Sequence, residues 1–318
     1  MPAFPLPRRN PSGRLAGATL LALVVAGCAT GHAGTARVSA AGAPAVQGRG
    51  TLFVVGGGPQ PPALVQEFVT LAGGSGRARI VVFAMASAEG ATSGEAKAAD
   101  LRTLGARATN VWVTREQANT DSVAALLDGA TGIWFGGGDQ SRLTAALRGT
   151  KTEAAIRRRY EGGAVVGGTS AGAAVMSARM ITGDERRPGG DRPVKDDGFM
   201  TIARDNIILD AGFGLLDDAV VDQHFLRRKR HNRLMSVVLE RAPHLGVGID
   251  ESTALVIEPD GRWRVSGASA VVVYDARRAA VTPAGTTLGA TGMTVHVLPA
   301  GSRFDPRTGS ATLPSGVP

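Results

Sequence analysis

The chain has 318 residues, 43% of them hydrophobic, with 35 Lys and Arg against 27 Asp and Glu and a formal charge of +8. That length and apolar content suffice for one domain with a full core, which excludes a fibrous or disordered chain. Residues 1–27 hold Arg8, Arg9 and Arg14 and no acids, so without them the surplus falls from +8 to +5. Spread over the remaining chain, that is too thin for a nucleic-acid footprint.

The arginines of residues 1–27 form a basic n-region ahead of an apolar run of about 12 residues, 15–26. Such a run suits a signal h-region and is short for a bilayer span. It ends Val25-Ala26-Gly27-Cys28, which resembles the lipobox of bacterial lipoproteins, and Cys28 is the only cysteine, so it has no disulfide partner within the chain. The expectation is a signal peptide over 1–27, lipidation of Cys28, and export with a lipid anchor in the cell envelope. Ala29, not an aspartate, follows the cysteine, which by the same resemblance points to the outer membrane or cell surface. Simple secretory cleavage with an incidental cysteine is the plainer alternative. Residues 28–50, rich in Ala, Gly, Ser and Thr, read as a flexible tether. Residues 51–305 read as the folded domain, and the polar, Pro- and Gly-rich 306–318 as a frayed tail.

Within the domain, strand and helix patterns alternate. Strands are expected at 51–55, 79–84, 111–113, 133–135, 164–166 and 220–222. Helices are expected at 62–72, 93–104, 122–127, from 141, near 152–161, at 171–178 and at 225–241. Apolar strands separated by helices predict an α/β fold with a mostly parallel sheet covered on both faces. The segments 247–250, 254–258, 263–266 and 270–274 alternate with turns and read as antiparallel additions.

The motif that organises the chain is Gly168-Thr169-Ser170-Ala171-Gly172, between the apolar run 164–166 and a small-residue helix. GxSxG at a strand-to-helix turn is a nucleophile elbow: the sharp bend lifts the serine hydroxyl clear of the sheet, and the helix N-terminus offers N–H groups to an oxyanion. An ordinary glycine-rich turn reads the same residues equally well. A phosphate loop does not, since Gly162 and Gly167 precede Thr169-Ser170 without the lysine that should reach the phosphates. Two other stretches at strand ends carry chemistry. Gly136-Gly137-Gly138-Asp139-Gln140 leaves backbone N–H groups bare. Asp222-Gln223-His224 supplies an imidazole, the side chain that titrates in the range a general base needs. His32 lies in the tether, and His231, His244 and His296 lack such a setting. The basic run from Arg227 to Arg233 would place guanidinium groups, suited to bidentate capture of carboxylates, at the mouth of the site. A third, acidic member of a triad is sought among Asp184, Glu185, Asp191, Asp196 and Asp197, and the pattern alone does not choose. No metal-ligand spacing and no dinucleotide fingerprint is present.

Taken together, FGGGDQSRL at 135–143, GTSAGAAVM at 168–176, DQHF at 222–225 followed by Arg228, Arg230 and Arg233, and GIDESTA at 248–254 resemble the cyanophycinases. These are serine peptidases related to the aspartyl dipeptidases, and the match runs in order through most of 51–276. The resemblance implies a flavodoxin-like fold similar to class I glutamine amidotransferases, a homodimer and no cofactor. It also implies Ser170 as nucleophile, His224 as base and Glu185 as acid, with Asp184 the near alternative. Gly137 and Ala171, with Gly138 sharing, would form the oxyanion hole. Gln140, Asp222, Gln223, Arg228, Arg230 and Arg233 would line the substrate cleft. The implied reaction is hydrolysis of cyanophycin, a poly-aspartate bearing arginines on its β-carboxyls, to β-Asp-Arg dipeptides. An acyl-enzyme would form by attack on the β-linked carbonyl, with the arginines clamping the polymer's main-chain carboxylate and Asp222 or another acid meeting its guanidinium. An exported dipeptidase for Asp-X or isoaspartyl peptides, and a dead polymer-binding lipoprotein, are the alternatives.

Overall fold

The computed structural model describes residues 49–186 and 201–316. The signal segment, Cys28 and most of the tether lie outside them, as do Asp191, Asp196 and Asp197. The first part of the domain contains β1 (Leu52–Val55), α1 (Pro62–Leu71), β2 (Arg79–Phe83), α2 (Gly90–Thr103), β3 (Arg107–Val111), α3 (Arg115–Ala118), α4 (Asp121–Ala125), β4 (Gly132–Phe135), α5 (Gln140–Leu147), α6 (Lys151–Glu161), β5 (Val165–Thr169) and α7 (Ala171–Ala174). There follow β6 (Arg179–Glu185), β7 (Ile207–Ala211), β8 (Val220–Asp222), α8 (His231–Glu240), β9 (Leu245–Ile249), β10 (Thr253–Ile257), β11 (Trp263–Gly267) and β12 (Ala270–Asp275). The chain closes with β13 (Ala280–Val281), β14 (Ala290–Thr291), β15 (Thr294–Pro299), β16 (Arg303–Asp305) and β17 (Ser310–Thr312).

Nine strands form the central sheet in the order β17-β16-β11-β10-β1-β5-β4-β2-β3. The five strands β1, β5, β4, β2 and β3 run parallel. β10, β11, β16 and β17 extend the β1 edge with antiparallel pairings. Alternate residues of each strand face opposite ways, and both faces are apolar. Phe53 and Val55 of β1 pack with Leu64, Val65, Phe68 and Val69 of α1 and with Leu101 of α2. Leu52 and Val54 face the other way, into a core shared with α5, α6, α7 and a second sheet. That second sheet has the order β15-β12-β9-β8, with β8 and β9 parallel, and α8 packs on its outer side through Leu234, Val237 and Val238. This is the α/β flavodoxin-like architecture expected from the sequence.

Four local expectations need correction. The third strand lies at Arg107–Val111, where it pairs in register with β2, leaving Trp112 half-exposed beyond it. The helix after Ser170 has only four residues, because the chain turns at 175–178 to start β6. Residues 225–230 form a turn, not the first turns of the helix. Lys229 adopts φ 52°, and the Arg230 amide bonds back to the Phe225 carbonyl at 3.0 Å, so α8 begins at His231. The presumed tail supplies an edge strand, β17, whose hairpin with β16 seats Phe304 on Trp263 with ring centroids 5.2 Å apart.

Candidate active site

Strand register brings the site together. β1 lies between β5 and β10, with Val55 opposite Thr169 on one side and Ala254 on the other. The residues just beyond β1, just beyond β5 and just before β10 therefore emerge side by side. β8 runs parallel to β9 with Asp222 opposite Gly248, so the loops that follow these two strands also leave the sheet together. Residues 56–58, Ser170, His224 and the 250–252 turn meet where these ends converge.

Ser170 adopts φ 54° and ψ −112°, a conformation that costs non-glycine residues about 1–3 kcal/mol. The bend is held by the Ser170 amide donating to the Val55 carbonyl at 3.0 Å. The glycines of GxSxG are fixed by close backbone approach: a Cβ on Gly168 would lie 2.4 Å from the Gly172 carbonyl oxygen, and one on Gly172 2.2 Å from that of Phe135.

His224 Nε2 lies 2.9 Å from Ser170 Oγ, and His224 Nδ1 lies 2.6 Å from Glu251 Oε1. An ionised carboxylate can only accept, so Nδ1 carries the proton and Nε2 presents a lone pair to the serine O–H. The third member is Glu251, not Glu185 or Asp184. Both of those sit on β6, where Glu185 Oε1 accepts from Asn206 Nδ2 at 2.6 Å and the Asp184 amide bonds Thr182 Oγ1 at 3.3 Å. The candidate acids lie between the serine and the histidine, whereas Glu251 follows the histidine in the chain, inside the GIDESTA stretch at a strand end.

The glycine run 56–58, just beyond β1, cradles the pair. The His224 amide donates to the Gly56 carbonyl at 2.6 Å and the Ser252 amide to that of Gly57 at 2.9 Å. A Cβ on Gly57, whose φ is 111°, would lie 2.4 Å from the imidazole, and one on Gly58 2.7 Å from the Glu251 side chain.

Of the expected oxyanion residues, Gly137 lies against the nucleophile, where a Cβ would be 3.5 Å from Ser170 Cβ. Ala171 opens α7, where helix geometry leaves the first N–H groups without intrahelical partners. So short a helix contributes those N–H groups rather than a macrodipole. Gly138 has a φ of 137°, and a Cβ there would strike the Ala86 carbonyl oxygen at 2.2 Å.

The expected substrate-lining residues divide. Asp222 and Arg233 are each 1% exposed and form a bidentate pair, Nε to Oδ2 at 2.7 Å and Nη2 to Oδ1. Arg230 is buried as well, donating from Nη1 to the Gln223 carbonyl at 2.8 Å and to Gln223 Oε1 at 2.9 Å. Gln140 is buried, its amide donating to the carbonyls of Ile181 and Thr182. Asp222, Arg230, Arg233 and Gln140 therefore brace the protein, and Asp222 is not presented to a ligand. Gln223 is buried too but reaches the site, where its Oε1 lies 3.4 Å from Ser170 Oγ as a second, weaker acceptor. Arg228 is the one of these arginines that is exposed. Its amide donates to the His224 carbonyl at 2.9 Å.

Burial is the largest influence on the imidazole and holds its pKa below the ordinary 6.5; the Glu251 hydrogen bond opposes this, and the positive field of Arg228 adds to it. His224 is thus neutral at neutral pH, with a lone pair free to take the Ser170 proton. Among the described residues no cluster of three His, Cys, Asp or Glu side chains is placed to hold a metal, and no helix is long and apolar enough to cross a membrane.

The sequence model of peptidase family S51 matches residues 52–263. A cyanophycinase of Trichormus variabilis is 34% identical over 239 residues, covering 73% of this chain and 76% of its own. A cyanophycinase of Geminocystis herdmanii is 31% identical over 271 residues, covering 82% of this chain and 95% of its own. Among solved structures, a peptidase from an acI-B1 Actinobacterium superposes with a TM-score of 0.59 at 20% identity, covering 81% of this chain and 98% of that one, a likeness of fold.

Two outcomes are expected from this geometry. Gly57→Ala should displace the imidazole and lower kcat at least ~100-fold, with a lowered melting temperature because alanine is strained at a φ of 111°; unchanged turnover of the folded variant would show that the 56–58 loop does not position His224. The acidic limb of kcat/KM should fall below pH 6.5, the ordinary histidine value. Arg228→Gln removes a positive charge and should move that limb up, whereas Glu251→Gln removes an influence that raises the pKa and should move it down while lowering kcat. A pH–rate profile of the three proteins shows the direction of each shift.

Proposed function

Because the chain belongs to peptidase family S51, and so is a serine-type peptidase, we propose that it hydrolyses cyanophycin to β-Asp-Arg dipeptides through an acyl-enzyme on Ser170. The observation that carries this reading is the chain of contacts Ser170 Oγ, His224 Nε2, His224 Nδ1 and Glu251 Oε1, at 2.9 and 2.6 Å. The cyanophycinases among its relatives supply the substrate class.

The product defines which bond breaks. A β-Asp-Arg dipeptide keeps its side-chain linkage, so the carbonyl attacked is the main-chain one between successive aspartates, not the β-linked carbonyl. His224 Nε2 takes the Ser170 proton as Oγ adds to that carbonyl, and Glu251 stabilises the imidazolium that forms. The Gly137 and Ala171 N–H groups stabilise the oxyanion. Collapse of the adduct breaks the C–N bond, with the imidazolium protonating the departing amine. Water, deprotonated by the same nitrogen, then cleaves the ester and restores the hydroxyl. Arg228, which is exposed, would meet a carboxylate on the leaving-group side.

The reading includes export: a dense, insoluble polymer cannot be taken up whole, and a lipid on Cys28 would hold the enzyme where such a polymer is met.

A fluorophosphonate should label the protein on Ser170 and abolish release of dipeptide from cyanophycin, and Ser170→Ala should lower that release by at least ~10³-fold. Persistent release from Ser170→Ala would overturn the proposal. Fractionation of the producing cell, with Cys28→Ser moving the protein out of the membrane fraction, tests the anchor.

A further inference from the structure

Beside the oxyanion glycine lies a cavity of about 190 Å3 lined by Gly136, Gly137, Thr169, Trp134, Ser87, Ser93, Gln60 and Lys97. His224 and the turn at 225–230 lie outside that lining. Lys97 projects from α2, with Nζ 4.7 Å from the Trp134 ring centroid and donating to Gln60 Oε1 at 2.7 Å. Among the described residues no ion pair within 4.0 Å joins it. Burial lowers its pKa from 10.5 to about 8, against the opposing field of Asp100 one turn further along the same helix. Ser93 on the same helix and Gln60, Ser87, Thr169 and Trp134 from outside it line the cavity with Lys97 and do not titrate in this range. An ammonium group held over an indole in a small cavity, against the energetic preference of burial, is a receptor for an anion: a carboxylate entering the cavity would offset the cost of burying the charge.

The geometry of the adduct says which part of a substrate enters. From the tetrahedral carbon on Ser170, the oxyanion points to Gly137 and Ala171, and the departing nitrogen must reach His224 Nε2. The remaining substituent is the carbon of the acyl-side residue. A cavity lined by Gly137 and Thr169 but not by His224 therefore receives the acyl side, not the leaving group. We propose that this cavity is the acyl-side subsite and that Lys97, held by Gln60 and Trp134, selects substrates whose acyl-side residue carries a carboxylate. On the cyanophycin reading, on which the choice of ligand rests, this is the free carboxylate of the arginine branch. Lys97 is thus a specificity-determining residue on the side of the nucleophile opposite Arg228.

The test uses a two-unit fragment of the polymer and the same fragment with only the acyl-side arginine carboxylate converted to its methylamide. The wild-type protein should prefer the free carboxylate in kcat/KM by on the order of 30-fold, mainly through KM, and its KM should rise above about pH 8 as Lys97 loses its proton. Lys97→Met and Lys97→Gln should bring the preference below threefold and lose the alkaline rise, while Lys97→Arg restores most of the preference. Fluorophosphonate labelling at the wild-type rate establishes that each variant retains its nucleophile. A wild-type preference near one, or one that survives in Lys97→Met, overturns the subsite. Should neither fragment be cut while labelling is normal, the polymer reading fails on its own. The same contrast is then read on Asp and Asn p-nitroanilides: a preference for Asp that disappears in Lys97→Met sustains the subsite, and an equal preference in both proteins overturns it.

Discussion

The hydrogen bond between Ser170 Oγ and His224 Nε2, at 2.9 Å, joins the two sheets of the domain where the ends of β5 and β8 meet. Ser170 leaves the central sheet at the end of β5, and His224 leaves the second sheet at the end of β8. Neither loop could set that distance alone. It is set by β1, which fixes β5 on one side and β10 on the other, and whose trailing Gly56 carbonyl accepts the His224 amide at 2.6 Å. The strained backbone at Ser170 and the positive φ of His224, 47°, are tolerated because the surrounding hydrogen bonds over-determine both positions.

The same junction explains how the site uses charge. Much of the basic run that follows His224 is turned inward: Arg233 neutralises the buried Asp222, and Arg230 holds Gln223 in place. A buried carboxylate without such a partner would be strongly destabilising, so the pair belongs to the scaffold that orients the histidine loop. Arg227, Arg228 and Lys229 remain on the solvent side, and the field of Arg228 also helps to keep the imidazole neutral.

Some of this was legible from local pattern. The apolar runs at 52–55, 80–83 and 132–135 are strands because both their faces are buried, and a continuous apolar run states that without reference to the rest of the chain. Gly168 and Gly172 are present because backbone passes where a side chain would be, and their spacing around Ser170 carries the meaning of the bend by itself. His224 was found for the same reason: a polar cluster directly after a buried strand has few places to be other than a strand-end cleft. The boundaries that failed, at 111–113 and 225–230, are those where a partner strand or a buried arginine overrides the local preference.

What the sequence determined by itself was the alternation of strands and helices from β1 to β5 and the placing of Ser170 and His224 at strand ends, because each rests on residues that are neighbours in the chain. The identity of the acid, the inward turn of Asp222, Arg230 and Arg233, and the placing of Lys97 beside Gly137 were decided only by tertiary structure. Glu251 lies 27 residues from His224 along the chain and 2.6 Å from it in space. That proximity comes from the parallel register of β8 and β9, and strand register depends on hydrogen bonds between segments whose pairing no single stretch of sequence encodes.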